Sequence, residues 1–262
     1  MSGRSLAQKR LIFTVTAGRS GTSYLAKLLA LVPEVASFHE PAPHFVDVMR
    51  AVQSKPDQAY RFWIERKLPK IARVPEPIYI ETSHLFCKGF AEPLLDLGIV
   101  PDLIILRRSH RKIALSLYQL GVIPGRTEEG LRFLLSPADP GVLPLQGWHS
   151  LHDYQLCYWY CLEIERRMRI YTKLFSCAGA NVVQISLEEL VRLRGITRLL
   201  RELELPWFKL FGWIQCLKTV RRRENTKQSK KRGIDVGQEE IAILESQVHN
   251  ITHFTTSEGE FI

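Results

Sequence analysis

The stretch Leu11-Ile12-Phe13-Thr14-Val15-Thr16-Ala17-Gly18-Arg19-Ser20-Gly21-Thr22-Ser23 organises the chain. Its first five residues are apolar and partly β-branched, the make-up of a buried strand. After it come Tyr24-Leu25-Ala26-Lys27-Leu28-Leu29-Ala30-Leu31, rich in helix formers and closed by Pro33. A strand, a glycine-bearing turn and a helix together make a cradle for an anion. The glycines let the backbone approach a ligand closely, and the free N–H groups and dipole at the start of the helix attract negative charge. Arg19 can add a charge-assisted contact, and Ser20, Thr22 and Ser23 can donate hydroxyl hydrogen bonds.

Outward from this loop, further strands are predicted at 35–38, 78–82, 103–106 and 181–185. Helices are predicted at 43–53, 57–68, 89–97, 110–120, 151–176, 187–203 and 206–220, with one amphipathic helix in the tail 238–262. Strands alternating with helices imply an α/β fold: a single P-loop-type domain over 1–262, with a mostly parallel central sheet flanked by helices. In such sheets ligands sit at the carboxyl ends of the strands. The loop after Val15, Glu40 after Phe38, His84 after Thr82, and Arg107-Arg108 after Leu106 should therefore converge. Residues 121–150 carry Gly and Pro at many positions and form a long loop with one helical turn, read as a lid or acceptor-binding segment.

The composition, 45% hydrophobic and 24% charged over 262 residues, is that of a soluble globular protein. No stretch approaches the ~20 apolar residues of a membrane helix, and the apolar run after Arg10 is too short for a signal-peptide core. A cytoplasmic protein is expected. The five cysteines include no C-x-x-C pair, which argues against a disulfide framework or a zinc site. Cys157 and Cys161 share a helix face as small core residues. Most of the net charge of +9 lies in 218–232, where eight Lys and Arg side chains stand against Glu224 alone. Such a segment addresses a polyanion at one place.

The first loop departs from the triphosphatase pattern G-x-x-x-x-G-K-[ST]. No lysine stands between Gly21 and Thr22, and Gly18 lies only three residues before Gly21. No later strand ends in a clear magnesium-binding aspartate. A P-loop small-molecule kinase is thus the first rival reading. A non-enzymatic binder of polyanions or nucleic acid, working through the basic segment, is the second.

A second anion pattern lies in Leu106-Arg107-Arg108-Ser109-His110-Arg111-Lys112-Ile113-Ala114-Leu115-Ser116. An arginine at a strand end and a serine eight residues on can hold one phosphate, through a forked guanidinium contact and a hydroxyl donor. Together the two patterns resemble the sulfotransferases that use 3′-phosphoadenosine 5′-phosphosulfate (PAPS). The resemblance covers residues 11–190 and implies that Arg19, Ser20, Gly21, Thr22 and Ser23 hold the 5′-phosphosulfate. It implies likewise that Arg108 and Ser116 hold the 3′-phosphate. Beyond 190 it rests on the basic segment, where Arg223, Asn225 and Lys227 are candidates to lie over the nucleotide.

Carbohydrate and protein-tyrosine sulfotransferases carry a glutamate general base about 21 residues after the basic residue of the loop. Glu40 stands at that offset from Arg19, within His39-Glu40-Pro41-Ala42-Pro43-His44-Phe45. The cytosolic small-molecule branch uses a histidine in a K-T-H pattern instead, and Thr82-Ser83-His84 is similar to it. Glu40 is preferred as base, with His84 the alternative or a group that orients the acceptor. The lysine common near position 82 is replaced by Thr82; Lys88 and Arg19 are candidates to substitute for it, and the general acid is left open. The implied reaction is a metal-independent in-line transfer of the sulfuryl group to a hydroxyl or amine of a carbohydrate, phenol or other small acceptor, releasing PAP, the desulfated nucleotide. Nucleic acid is not an expected partner. Trp148, His149, His152, Asp153 and Tyr154 follow the long loop and could line the acceptor pocket.

Overall fold

Strand β1, Arg10–Val15, ends where the glycine-bearing loop begins. In the computed structural model, which describes residues 6–207, 215 and 237–254, it is the central strand of a five-stranded sheet. The others are β2 Val35–His39, β3 Ile78–Thr82, β4 Asp102–Arg107 and β5 Val182–Ser186. The order is β2-β3-β1-β4-β5, and every pairing is parallel. The helices are α1 Thr22–Leu29, α2 Val46–Ser54, α3 Asp57–Arg61, α4 Leu68–Ala72, α5 Ala91–Asp96 and α6 His110–Leu120. They continue with α7 Glu128–Phe133, α8 Asp153–Cys177, α9 Leu187–Leu190, α10 Leu193–Glu202 and, last, Gln238–Thr252, here α11.

Side chains alternate across the strands, so the sheet buries both faces. Leu11, Phe13, Val15, Leu103 and Ile105 enter one apolar cluster with Leu156, Tyr160 and Ile164 of α8. Ile12, Ile80, Ile104 and Leu106 enter the other, with Leu25 and Leu28 of α1 and Leu199 of α10. From β1 the chain goes outward to β2, returns to β3, then crosses to β4 on the other side. The strand order therefore reverses at β1, and the crevice of such a sheet opens between the carboxyl ends of β1 and β4.

Three predicted elements differ. The helix expected over 57–68 runs on to Ala72, because a π-helical segment Phe62–Lys67 joins α3 to α4 and carries the chain past Pro69, which has no N–H to give. The helix expected over 187–203 is two. Ser186 and Glu189 form a capping box on α9, and Arg192 turns extended before α10. Gly195 lets α10 pack on the end of α9, since a Cβ there would lie 2.1 Å from the Glu189 carbonyl oxygen. The 121–150 segment holds α7 and a 3-10 turn, Trp148–Ser150. Apart from Pro206, Trp207 and Gln215, the helix expected over 206–220 lies outside the described residues, as does the whole basic segment. Among the described residues no helix is long and apolar enough to cross a membrane.

A buried ion pair anchors the turn that follows β2. Lys67 Nζ donates to Glu81 Oε1 at 2.8 Å and to the carbonyls of Pro41 and Pro43 at 3.1 and 2.9 Å. The Tyr79 hydroxyl donates to Glu81 Oε2 at 2.6 Å. Removing one partner of such a pair strands the other charge, which typically costs about 3–5 kcal/mol, whereas replacing both by apolar groups is nearly neutral. Urea unfolding of Lys67→Met should show a loss of that size, and a Lys67→Met, Glu81→Leu double variant should recover most of it. A double variant no more stable than the single one would contradict this account.

Candidate active site

The cradle after β1 is built on two left-handed backbone positions, Arg19 at φ 69° and Gly21 at φ 94°. Gly21 is the N-cap of α1, and a Cβ there would lie 2.7 Å from Leu187 Cδ1, so glycine is needed for both conformation and room. Ser20 is fully buried, yet its hydroxyl has no hydrogen-bond partner within the chain. Thr22 is buried and Ser23 half-buried. Arg108 Nη1 donates to the Arg19 carbonyl at 2.5 Å, and Arg19 Nε donates to Ser116 Oγ at 3.0 Å. The two anion patterns are thus in direct contact. Burial pushes the Arg108 guanidinium below its ordinary range, Glu188 opposes this, and Arg19 adds to it. Glu188 itself pairs with Lys112 at 3.2 Å.

Arg107 does not join them. It follows Leu106 in the strand alternation, so its side chain leaves on the α8 face, where it pairs with Glu165 and reaches Gln184 Oε1 at 3.4 Å. Only the second arginine of the pair faces the crevice side. Arg223 and Lys227 lie outside the described residues, as does Asn225.

Both candidate bases fall in one cluster beside the cradle. His84 Nε2 lies 3.5 Å from Glu40 Oε1, and Ser83 Oγ donates to the same oxygen at 3.3 Å. The backbone at Glu40 is also left-handed, at φ 49°. It is held by His44 Nδ1, which donates to the Glu40 carbonyl at 2.8 Å, and by His39 Nδ1, which donates to the Thr82 carbonyl at 2.9 Å. A Cβ on Gly18 would sit 3.5 Å from His84 Nδ1, so the imidazole lies against the cradle. Behind it, the Gly18 N–H donates to the Tyr160 hydroxyl at 3.3 Å.

Thr82 takes no part as a cation: its hydroxyl bonds the carbonyls of Thr22 and Phe38 at 2.9 and 3.3 Å. The cation of the cluster is Lys88, fully buried, with Nζ 3.0 Å from His84 Nδ1, 2.5 Å from the Phe133 carbonyl and 4.9 Å from the centre of the Tyr160 ring. The tight turn 84–90 puts Lys88 on the side of His84, four residues on. Burial pushes His84 well below its ordinary value, with Lys88, His39 and Arg19 adding to the effect. Burial likewise brings Lys88 down to about 7, against the pull of Cys87 and Glu40.

The 121–150 segment reaches this cluster through Phe133, whose ring centre is 6.4 Å from that of His84. A two-pronged contact of Arg50 with Asp139, 2.8 Å on each arm, fastens the segment to α2. The residues expected to line an acceptor pocket have other partners. His152 caps α8, Asp153 pairs with Arg126, and Tyr154 donates to Glu245 of α11. Trp148 and His149 stack on each other, and Arg126 gathers their carbonyls with that of Leu151. A helix start and a docking surface claimed these polar atoms.

No protein-family model matches the sequence, nor does any curated protein sequence. Among solved structures, the fold is similar to that of a sulfotransferase domain from the curacin biosynthetic pathway. The TM-score is 0.54 at 12% identity, over 92% of this chain and 97% of that one. A sulfotransferase domain from the Synechococcus PCC 7002 olefin synthase matches over 97% of this chain and 92% of its own, with a TM-score of 0.47 and 14% identity. The chain has the sulfotransferase fold.

Lys88 gives the site a pH signature. Its folded value of about 7 lies below the ordinary 10.5, so in that window the unfolded chain binds the proton and the folded chain does not. Stability from this group therefore rises with pH through the window, and below it the burial penalty is felt in full. In urea unfolding across the window, the stability difference between wild type and Lys88→Met should move in favour of wild type as pH rises. A difference flat with pH would exclude a depressed Lys88.

Proposed function

We propose that this chain, built on the sulfotransferase fold, moves the sulfuryl group of PAPS to a hydroxyl or amine of a carbohydrate, phenol or other small acceptor. One observation carries the reading. Two cationic corners, one after β1 and one after β4, touch through Arg108 and Arg19, and a carboxylate, imidazole and amine cluster stands against the same loop. The residues fit a doubly phosphorylated nucleotide. The Ser20 hydroxyl is buried without a partner in the chain, and burial, with Arg19 adding repulsion, lowers the Arg108 guanidinium, which a bound anion would offset.

In this reading Arg19, Ser20, Gly21, Thr22 and Ser23 hold the 5′-phosphosulfate. Arg108 and Ser116 hold the 3′-phosphate, and Ser116 keeps its own O–H to donate while it accepts from Arg19. Arg223 and Lys227 are assigned to the nucleotide on the resemblance alone. Bound PAPS supplies the sulfuryl group and a good leaving group. The chain supplies position and charge. Arg19 and the N–H groups of Gly21 and Thr22 stabilise negative charge on the leaving side. Glu40 takes the proton of the acceptor: its Oε1 is engaged by Ser83 and faced by His84, which leaves Oε2 for the substrate.

PAP without divalent metal should raise the melting temperature, and Arg108→Ala should weaken PAP about 10–100-fold, the worth of a hydrogen bond to a charged group. Glu40→Gln should lower turnover about 10²–10⁴-fold with PAP affinity unchanged. Stabilisation by ATP with Mg²⁺ but not by PAP would move the assignment to a kinase. Near-normal turnover in Glu40→Gln, with loss in His84→Ala, would move the base to His84.

A further inference from the structure

We infer that Lys88 is a positioning residue: its ammonium fixes His84 as the Nε2–H tautomer, which makes the imidazole a hydrogen-bond donor toward Glu40 and leaves Glu40 as the base of the pair. The catalytic consequence rests on the sulfotransfer reading; the tautomer does not.

A lysine ammonium has three donors and no acceptor. At 3.0 Å from Lys88 Nζ, His84 Nδ1 must therefore offer its lone pair, and the ring proton of the neutral imidazole goes to Nε2. Nε2 points toward Glu40 Oε1, 3.5 Å away. The other surroundings of Nζ suit a cation. The Phe133 carbonyl accepts from it, and the face of Tyr160 attracts positive charge. In this state Nε2 has no lone pair and cannot take the proton of an acceptor. Glu40 can, with Ser83 donating to one of its oxygens and the Nε2–H of His84 facing that same oxygen. Loss of the Lys88 proton would relax the arrangement, because the free amine can accept from Nδ1–H as well as donate to Nδ1.

The groups that bear on this proton come from every neighbouring element. Arg19 and His39 face His84. Glu40 and Cys87 favour the charged Lys88, whereas Arg167 of α8 and Arg50 of α2 oppose it. Burial already keeps His84 neutral well below its ordinary range, so near neutral pH the pair changes state at Lys88.

The test is ¹⁵N NMR of the full chain labelled at histidine, with His84 assigned by the signal lost in His84→Gln. At about pH 6, where Lys88 carries its proton, His84 should show a protonated Nε2 and an unprotonated Nδ1. Raising the pH to about 9 should let the Nδ1–H form appear beside the Nε2–H form, and Lys88→Met, which removes the donor at Nδ1, should let it appear at the lower pH. Turnover of Lys88→Met should fall about 10–100-fold, with PAP affinity unchanged. A protonated Nδ1 in the wild type at the lower pH would overturn the inference. A tautomer indifferent to both pH and Lys88→Met would overturn it too, and the wild-type titration decides the matter even if the variant does not fold. An Nε2–H ring in a protein that ignores PAP would leave Lys88 in its role and remove the sulfotransfer reading instead.

Discussion

The strand ends of this sheet are tied to one another by buried hydroxyls, and the site depends on those ties. Thr14 Oγ1 donates to the Ser83 carbonyl at 3.0 Å and accepts the Ser83 N–H at 2.9 Å, joining β1 to the segment after β3. Thr16 Oγ1 donates to the Leu106 carbonyl at 2.7 Å, joining the loop to β4. Thr82 Oγ1 reaches the Thr22 carbonyl at 2.9 Å, joining β3 to the first turn of α1. Where parallel strands stop, their last backbone groups lose their ladder partners and must find others. Here threonines supply them, at about 0.5–1.5 kcal/mol net for each bond. The larger effect is geometric: the loops after β1, β3 and β4 cannot move separately.

That rigidity bears strain and repulsion. Arg19 and Glu40 both sit in the left-handed region without being glycine, a conformation that costs of order 1–3 kcal/mol. Each is held from outside: Arg19 through its carbonyl by Arg108, Glu40 through its carbonyl by His44. The Arg19 and Arg108 guanidiniums are also close enough to repel. A fold tolerates such a spot when the rest over-determines it, and a resident anion would turn the repulsion into binding energy.

Much of this was legible in the sequence, and what was not has physical reasons. The cradle was, because glycine, hydroxyl and strand signals are local. The spacing from Arg108 to Ser116 was, because a strand end and two helical turns fix it. A local window groups Arg107 with its neighbour, although strand alternation sends the two side chains to opposite faces. By pattern Thr82 stands where a lysine is expected, whereas its position under α1 calls for a short hydroxyl. The polar residues after the long loop suggest a pocket by position, but capping of α8 and docking of α11 decide where they point, and neither is visible in a local window. Lys88 could be named only as a stand-in, since its environment comes from Phe133 and Tyr160, far along the chain.

Two buried lysines lie near Glu40, and the hydrogen bonds of neither go to its carboxylate. Lys67 grips the carbonyls of Pro41 and Pro43, so it sets where the turn after β2 leaves Glu40. Lys88 grips His84, so it sets what faces Glu40. A lysine placed directly against a carboxylate forms an ion pair with it and so makes it a weaker base. One step removed, the same charges act on backbone and imidazole and leave the carboxylate half-exposed to the crevice. Replacing the lysine expected at position 82 by Thr82 is consistent with that division: the position goes to a hydroxyl that ties the sheet together, and the positive charge moves to where it orders neighbours without neutralising Glu40.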